Sequence, residues 1–327
     1  MNADPQPGTE PSADPGPPAE FGLIARHFRP LAGPGGLDLL DDAALLTPPP
    51  GRELVITADA MVAGVHFLPD DPADTVGQKL LRVNLSDLAA MGAVPLAYLM
   101  TVSAPRETSE GWFAGFAAGL ARDQAAFSIT LLGGDTTHTP GPLSLSLTCI
   151  GHVAPGMAVR RRGALAGDEV WVTGTIGDGA LGLSALMQEI ADPDGFLTGR
   201  YRLPRPRLGV VQPGLVHAAM DVSDGLVQDL GHLARLAGLG AELFAAKVPL
   251  SAAARALGPA WLKTCLTGGD DYELLMAVPP GGGEALRAAA SPVPVHCIGR
   301  FGPGEGVRVV GVAGETMGLA NAGWSHF

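Results

Sequence analysis

Asn84-Leu-Ser-Asp-Leu-Ala-Ala-Met-Gly-Ala-Val-Pro95 is the stretch on which the reading of this chain turns. It follows Val76-Gly-Gln-Lys-Leu-Leu-Arg-Val83, a run that reads as helix. Leu81, Leu85 and Leu88 fall at i, i+4 and i+7 and form one apolar stripe. Asn84 and Asp87 occupy the adjoining face with Leu80 and Met91, so the helix should be buried on most sides and carry Asp87 inward with it. A buried carboxylate needs a partner, and a metal ion is one. The other reading is that Ser86 or Asp87 caps a short helix.

Working outward, similar acidic clusters recur. Asp41-Asp42 precede a strand-like run, Ala43 to Leu46, and Asp59 follows a second, Leu54 to Thr57. An Asp-Asp pair is most often a turn former. His66 lies shortly after Asp59 in an otherwise apolar segment. Leu96 to Val102 reads as strand, Trp112 to Ala126 as helix, and Ser128 to Leu132 as a strand running into a glycine turn, Gly133-Gly-Asp-Thr-Thr137. Glycines at such a place let backbone N–H groups approach a phosphate while the Asp faces a metal. Leu143 to Ile150 alternates cleanly, as a half-buried antiparallel strand does.

A basic, Gly-rich connection with Arg160-Arg-Arg162 then separates two halves, with the boundary near residue 154. The arginines are either solvated or placed to reach a nucleotide phosphate. In the second half a strand, Glu169 to Thr173, leads into a helix ending near Glu189. The intervening Gly174-Thr-Ile-Gly-Asp-Gly179 is not GxGxxG, which argues against a dinucleotide site. Asp221, Ser223 and Asp224 crowd the entry of a helix running to Ala237, where they either ligate metal beside a phosphate or simply cap. Thr267-Gly-Gly-Asp-Asp-Tyr-Glu273 leads into another strand. Gly323-Trp-Ser-His-Phe327 is an aromatic end suited to covering a flat apolar group.

Composition narrows the chemistry. The chain has 327 residues, 46% hydrophobic and 17% charged, enough for two domains. Residues 1 to 19 are Pro, Gly, Ala, Asp and Glu with little to bury, and read as a disordered tail. The longest uncharged apolar run, Gly92 to Pro105, is too short for a membrane span, and no signal-peptide order is present, so a cytoplasmic protein is expected. Cys149, Cys265 and Cys297 have no paired spacing and read as reduced, buried small hydrophobes. Lys+Arg 21 against Asp+Glu 33 gives −12, which argues against nucleic acid as a partner. The three lysines are Lys79, Lys247 and Lys263, none in a GxxxxGK[ST] loop. Many carboxylates with so little lysine describe a multi-magnesium site for a nucleoside triphosphate.

Taken in order, Asp41-Asp-Ala-Ala-Leu-Leu46, Thr57-Ala-Asp59 with Gly64-Val-His-Phe67, Asn84 to Gly92, Gly133 to Thr137, Val172-Thr-Gly174, Asp221 to Leu226 and Gly268-Gly-Asp-Asp-Tyr-Glu-Leu274 resemble the thiamine-monophosphate kinase family. The resemblance runs from about Phe21 to Phe327. It implies an α/β (α+β) protein of two domains. Residues 20–153 would form a mixed-sheet ATP/Mg-binding domain at the core of a homodimer, and 154–327 an α/β domain with its sheet covered by helices. It also implies ATP-dependent phosphorylation of thiamine monophosphate to thiamine diphosphate by direct in-line transfer, without a covalent enzyme nucleophile. By position, Asp42, Thr57, Asp59, Asp87, Asp135, Asp221 and Asp224 would hold Mg2+. Gly134, Asp135, Arg161 and Ser223 would touch ATP, and His66, Asp270 and Trp324 would line the thiamine monophosphate pocket. The chain departs from the family's pattern at Leu39-Leu40, at Ala58 where Thr is usual, and at Asp270 where Glu is common. The other readings are an ATP-dependent cyclo-ligase of the aminoimidazole ribonucleotide synthetase type and a nucleotide-binding module without turnover. Selenophosphate synthesis, a third activity of the superfamily, needs a reactive Cys near the N-terminus, and none precedes Cys149.

Overall fold

The computed structural model describes residues 19–311 and 313–324; the expected tail, apart from Ala19, which opens a helix, and the last three residues of the aromatic end lie outside them. The first half opens with a short helix α1 (Ala19–Leu23), continued by a π-helical turn over Ile24–Phe28. The Gly/Pro-rich segment that follows is largely 3-10 turns, and Leu37, Asp38 and Leu39 all take positive φ. Left-handed backbone costs an L-residue roughly 1–2 kcal/mol, so the Leu39 departure sits in a strained turn just before Asp41.

Four strands follow with two long helices: β1 (Glu53–Val62), α2 (Ala73–Ala90), β2 (Val94–Ala104), α3 (Glu110–Phe127), β3 (Thr130–His138) and β4 (Ser144–Val153). The sheet order is β1-β4-β2-β3, with β4 antiparallel to both neighbours and β2 parallel to β3 through the α3 crossover. Its inner face buries Met61, Leu145, Leu147, Tyr98 and Met100 against the two helices. Two expectations are corrected here. Ala43 to Leu46 is irregular rather than strand, because its apolar residues pack on the outer face of the sheet and along a cleft instead of pairing. Gly133-Gly-Asp-Thr-Thr137 is not a turn after a strand but the body of β3, paired with Leu99 to Ser103.

The second half contains β5 (Glu169–Thr173), α4 (Asp178–Leu186), α5 (Phe196–Arg202), β6 (Ala218–Asp221), α6 (Leu226–Ala237) and β7 (Gly240–Phe244). It continues through α7 (Ala252–Ala256), α8 (Leu262–Thr267), β8 (Leu274–Val278), α9 (Gly283–Ala290), β9 (Val295–Gly302) and β10 (Gly306–Val310). The mixed sheet runs β10-β7-β9-β5-β8-β6, with helices packed on it. Cys149 and Cys265 are buried, whereas Cys297 is only half-buried, on a strand that pairs with β5 and β7.

Helix α2 joins the halves. From Val76 to Ala90 only Arg82 and Asp87 escape burial, and Ala89 and Ala90 enter an apolar cluster with Val159, Trp171, Val211 and Met276 of the second half. A helix buried nearly all round has to be packed on several sides, as this one is. Among the described residues no helix is long and apolar enough to cross a membrane.

Candidate active site

Asp87 lies in the last turn of α2, so it is not an N-cap, and the capping reading does not hold. The helix dipole is negative at that end and disfavours a carboxylate there. Thr57 of β1 donates its hydroxyl to Asp87 Oδ2 at 2.6 Å, and Asn84 accepts the Asp59 backbone N–H at 3.1 Å while donating to the Leu80 carbonyl. The Asn84–Asp87 spacing thus fixes two neighbouring carboxylates, one directly and one through its backbone.

Asp221, at the end of β6, completes the group from the other half. Burial, then the Asp87 charge, push its carboxyl up to about 8. Asp59 rises to about 6 for the same two reasons, with Arg161 pulling the other way. Burial raises Asp87 as well, opposed by the Thr57 hydrogen bond and by Arg161. Asp59, Asp87 and Asp221, from β1, α2 and β6, are therefore near enough to raise one another's carboxyls, with the exposed Arg161 opposing the rise at Asp59 and Asp87.

Beside them, Asp224 meets two residues that the sequence reading passed over. Asp224, Asp229 and His232 present ligand atoms within 4.8 Å of one another. Burial and the Asp224 charge raise Asp229 to about 7. Asp224 Oδ2 accepts from Gln228 at 3.2 Å, and the Trp324 backbone binds both Asp224 and Gln228, which seats the exposed Trp324 ring at the start of α6.

The loop carrying Ser223 is clasped by the second glycine–acid motif. Asp270 N–H donates to the Ser223 carbonyl at 2.9 Å, and Tyr272 and Val222 exchange backbone bonds with the opposing segment. A Cβ on Gly269 would stand 2.3 Å from the Ser223 carbonyl oxygen, so the approach demands glycine. Asp270 and Tyr272 hold φ of 69° and 51°, strained backbone of the kind found at sites. The remaining acids of that motif are structural: Asp271 accepts the Gly177 and Gly179 N–H groups, and Glu273 takes Thr173, Arg200 and Arg207.

Asp270 also meets Lys79, whose ammonium is 3.1 Å from its carboxylate, 3.0 Å from the His66 carbonyl and 3.8 Å from the Tyr201 ring centroid. Lys79 is 2% exposed. His66 is held in turn by the Val62 N–H donating to Nδ1 at 3.1 Å. No motif in the sequence marks Lys79; a lysine inside a largely buried helix of a lysine-poor chain is the available signal.

Asp42, Gly134 and Asp135 lie elsewhere. They line a cleft of about 790 Å³ together with Phe21, Thr101 and Ile150. Asp59 pairs with the buried Leu147 and so points to the inner face of the first sheet; Asp135 pairs with Thr101, and Thr101 with Ser146, on the outer face. Three strand spacings, roughly 14 Å, separate β1 from β3. One chain does not gather these two acids. Gly134 takes φ 156°, and a Cβ there would lie 1.6 Å from the Met100 carbonyl oxygen, so its glycine is required by strand pairing.

Residues 40–153 match the family described as AIR synthase related protein, N-terminal domain, and residues 166–312 its C-terminal domain. The thiamine-monophosphate kinase of Caulobacter vibrioides is 47% identical over 95% of this chain and 91% of its own length. The crystal structure of thiamine-monophosphate kinase from Stenotrophomonas maltophilia K279a superposes with a TM-score of 0.80 at 41% identity, over 91% of this chain and 98% of that one. AaThiL complexed with AMPPCP and TMP gives 0.75 at 31% identity, over 94% and 97%. With carboxylates converging from both halves and likeness along nearly its whole length, this chain is an enzyme of the thiamine-monophosphate kinase family.

Proposed function

We propose that the chain transfers the γ-phosphoryl group of ATP directly to the phosphate of thiamine monophosphate, giving thiamine diphosphate and ADP. An acceptor phosphate oxygen forms the new bond to the γ-phosphorus as the bond to the β–γ bridging oxygen breaks, and ADP carries away the electron pair. The acceptor is already an anion, so no enzyme nucleophile or base is needed, and the protein's task is positioning and charge control. The observation that carries this reading is the meeting of Asp59, Asp87 and Asp221 from both halves beside Arg161. AaThiL, complexed with AMPPCP and TMP, supports the choice of substrates.

Hard oxygen donors that repel one another fit magnesium, so Asp59, Asp87, Asp221 and the Thr57 hydroxyl would hold it, with Asp224 and Asp229 for a further ion. Bound there, the metal would neutralise charge between the two phosphates. Arg161 would meet a phosphate, and the Ser223 loop, clasped by Gly269–Tyr272, would orient it. Lys79, Asp270 and His66 would position the thiamine end, with Trp324 available to cover it.

The same reading divides the chain into domains at residue 154 and makes the enzyme a homodimer. The outer face of the first sheet leaves Ile56 62% and Leu99 38% exposed, an apolar face that a second copy would cover. That copy would also supply the Asp42 and Asp135 that each chain holds away from its own Asp59. The test is direct: protein, ATP, magnesium and thiamine monophosphate should yield thiamine diphosphate and ADP in equal amounts. Failure to form the diphosphate rejects the proposal.

A further inference from the structure

A second cavity, of about 310 Å³, is lined by Arg82 of α2, Arg200 of α5 and Arg205, with Phe196 and Leu203 as its apolar wall. None of the residues assigned above to substrate, nucleotide or metal lines it. Its arginines are incompletely used. Arg82 is spent on Asp123, at 2.6 and 2.9 Å, and on the Pro204 carbonyl. Arg200 is 5% exposed; its Nη2 binds Glu273 at 2.9 Å and the Asp271 carbonyl, its Nε lies 3.9 Å from Asp178, and its buried Nη1 has no hydrogen-bond partner.

Arg205 makes no hydrogen bond or ion pair among the described residues. The acids nearby are already taken: Asp123 also receives Gln78, and Glu273 also receives Arg207 and Thr173. Burial and the positive charges of Arg200, Arg207 and Arg82 depress the Arg205 pKa, the signature of cations crowded without enough counter-charge. In a chain of net charge −12 such a concentration of guanidinium is not a property of the surface at large.

An exposed, unpaired guanidinium that lines a cavity of this size together with two further arginines is an arrangement that receives an oxyanion. We infer that this cavity is a second, magnesium-independent anion site that takes a phosphate group, either free phosphate or the phosphate of a small monoester. Arg205 supplies the donors, the charges of Arg82 and Arg200 add to the attraction, and Phe196 and Leu203 leave room for a short apolar portion. The inference does not depend on the proposed phosphoryl transfer.

The experiment is calorimetric titration of the full chain in EDTA at constant ionic strength, with inorganic phosphate in one arm and glycerol phosphate in the other. One equivalent should bind, with the tighter probe telling free phosphate from monoester. Arg205→Glu should weaken binding by about tenfold or more, Arg205→Lys should retain most of it, and Asp87→Asn should leave it unchanged. Arg205→Glu should keep its kinase rate and its melting temperature in phosphate-free buffer; Arg205→Gln replaces it if the reversal unfolds the chain. No magnesium-independent binding of either probe, or equal affinity in the wild type and both Arg205→Glu and Arg205→Gln, overturns the inference.

Discussion

The Asp87 carboxylate is held against three unfavourable influences: partial burial, the negative end of α2, and the charges of Asp59 and Asp221. On the proposed function, a group kept at such cost to the apo protein serves an incoming cation. Asp87→Asn preserves the side chain's shape and its approach to Thr57 while removing the repulsion. It should lower kcat on the order of 10²–10³-fold, the scale of losing one preorganised electrostatic contact, and leave the metal-free melting temperature the same or higher. Near-normal turnover would refute the assignment. Lys79 acts differently, since it ties the His66 carbonyl of the first half to the Asp270 carboxylate of the second. Lys79→Met should raise KM for thiamine monophosphate about tenfold while KM for ATP changes little, and Lys79→Arg should recover part of the loss. Equal effects on both substrates would make Lys79 merely structural.

Among the elements, the Asp221–Asp224 loop is only as well placed as the Gly268–Tyr272 segment that grips it. Gly269→Ala pushes a methyl into the Ser223 carbonyl, so the loop must move. The cost should be about 1–3 kcal/mol of stability, typical of overpacking, together with loss of activity larger than the melting shift alone explains; unfolding and steady-state assays on the same preparation separate the two. Much at this scale was legible beforehand. The Glu169–Thr173 strand, the alternating run that became β4 and the helix ending at Ala237 follow from periodicity and flanking turns. The glycines of Gly133-Gly-Asp misled, because they spell a turn locally while Gly134 serves the close approach of Met100 on a neighbouring strand. Asp271 and Glu273 show the same limit: they adjoin Asp270 in one motif, yet their partners, Gly177 and Arg200, are some 70 to 95 residues away in the chain. Burial and long-range pairing decide such roles, and neither is local. Asp229 and His232 are hidden for the same reason: that Asp229 is buried beside Asp224 and the half-buried His232 is not visible in the local sequence.

At the scale of the molecule, the clustered acids give the protein an inverted dependence on pH. The folded, metal-free chain keeps protons on Asp221 and Asp271 up to about 8 and on Asp229 to about 7, whereas the unfolded chain loses them near 4. The native state therefore binds more protons through neutral pH, and stability must fall as pH rises from 7 to 8. In EDTA the melting temperature should drop across that interval, and magnesium should raise it more at pH 8 than at pH 7, where protons still compete for the carboxylates. A melting temperature that climbs with pH in EDTA would contradict this. The largest consequence is architectural. Asp59 and Asp135 project from opposite faces of one sheet, so if a single reaction needs both, two copies must each contribute one. Asp59→Asn and Asp135→Asn homodimers should each be nearly inactive. In a reassorted equimolar mixture half the dimers are mixed, and each mixed dimer has one site with both defects and one with neither. Activity should return to about one quarter of the wild-type value. A site completed within one chain would gain nothing from mixing, and an unchanged, near-zero rate after confirmed subunit exchange would disprove the shared site.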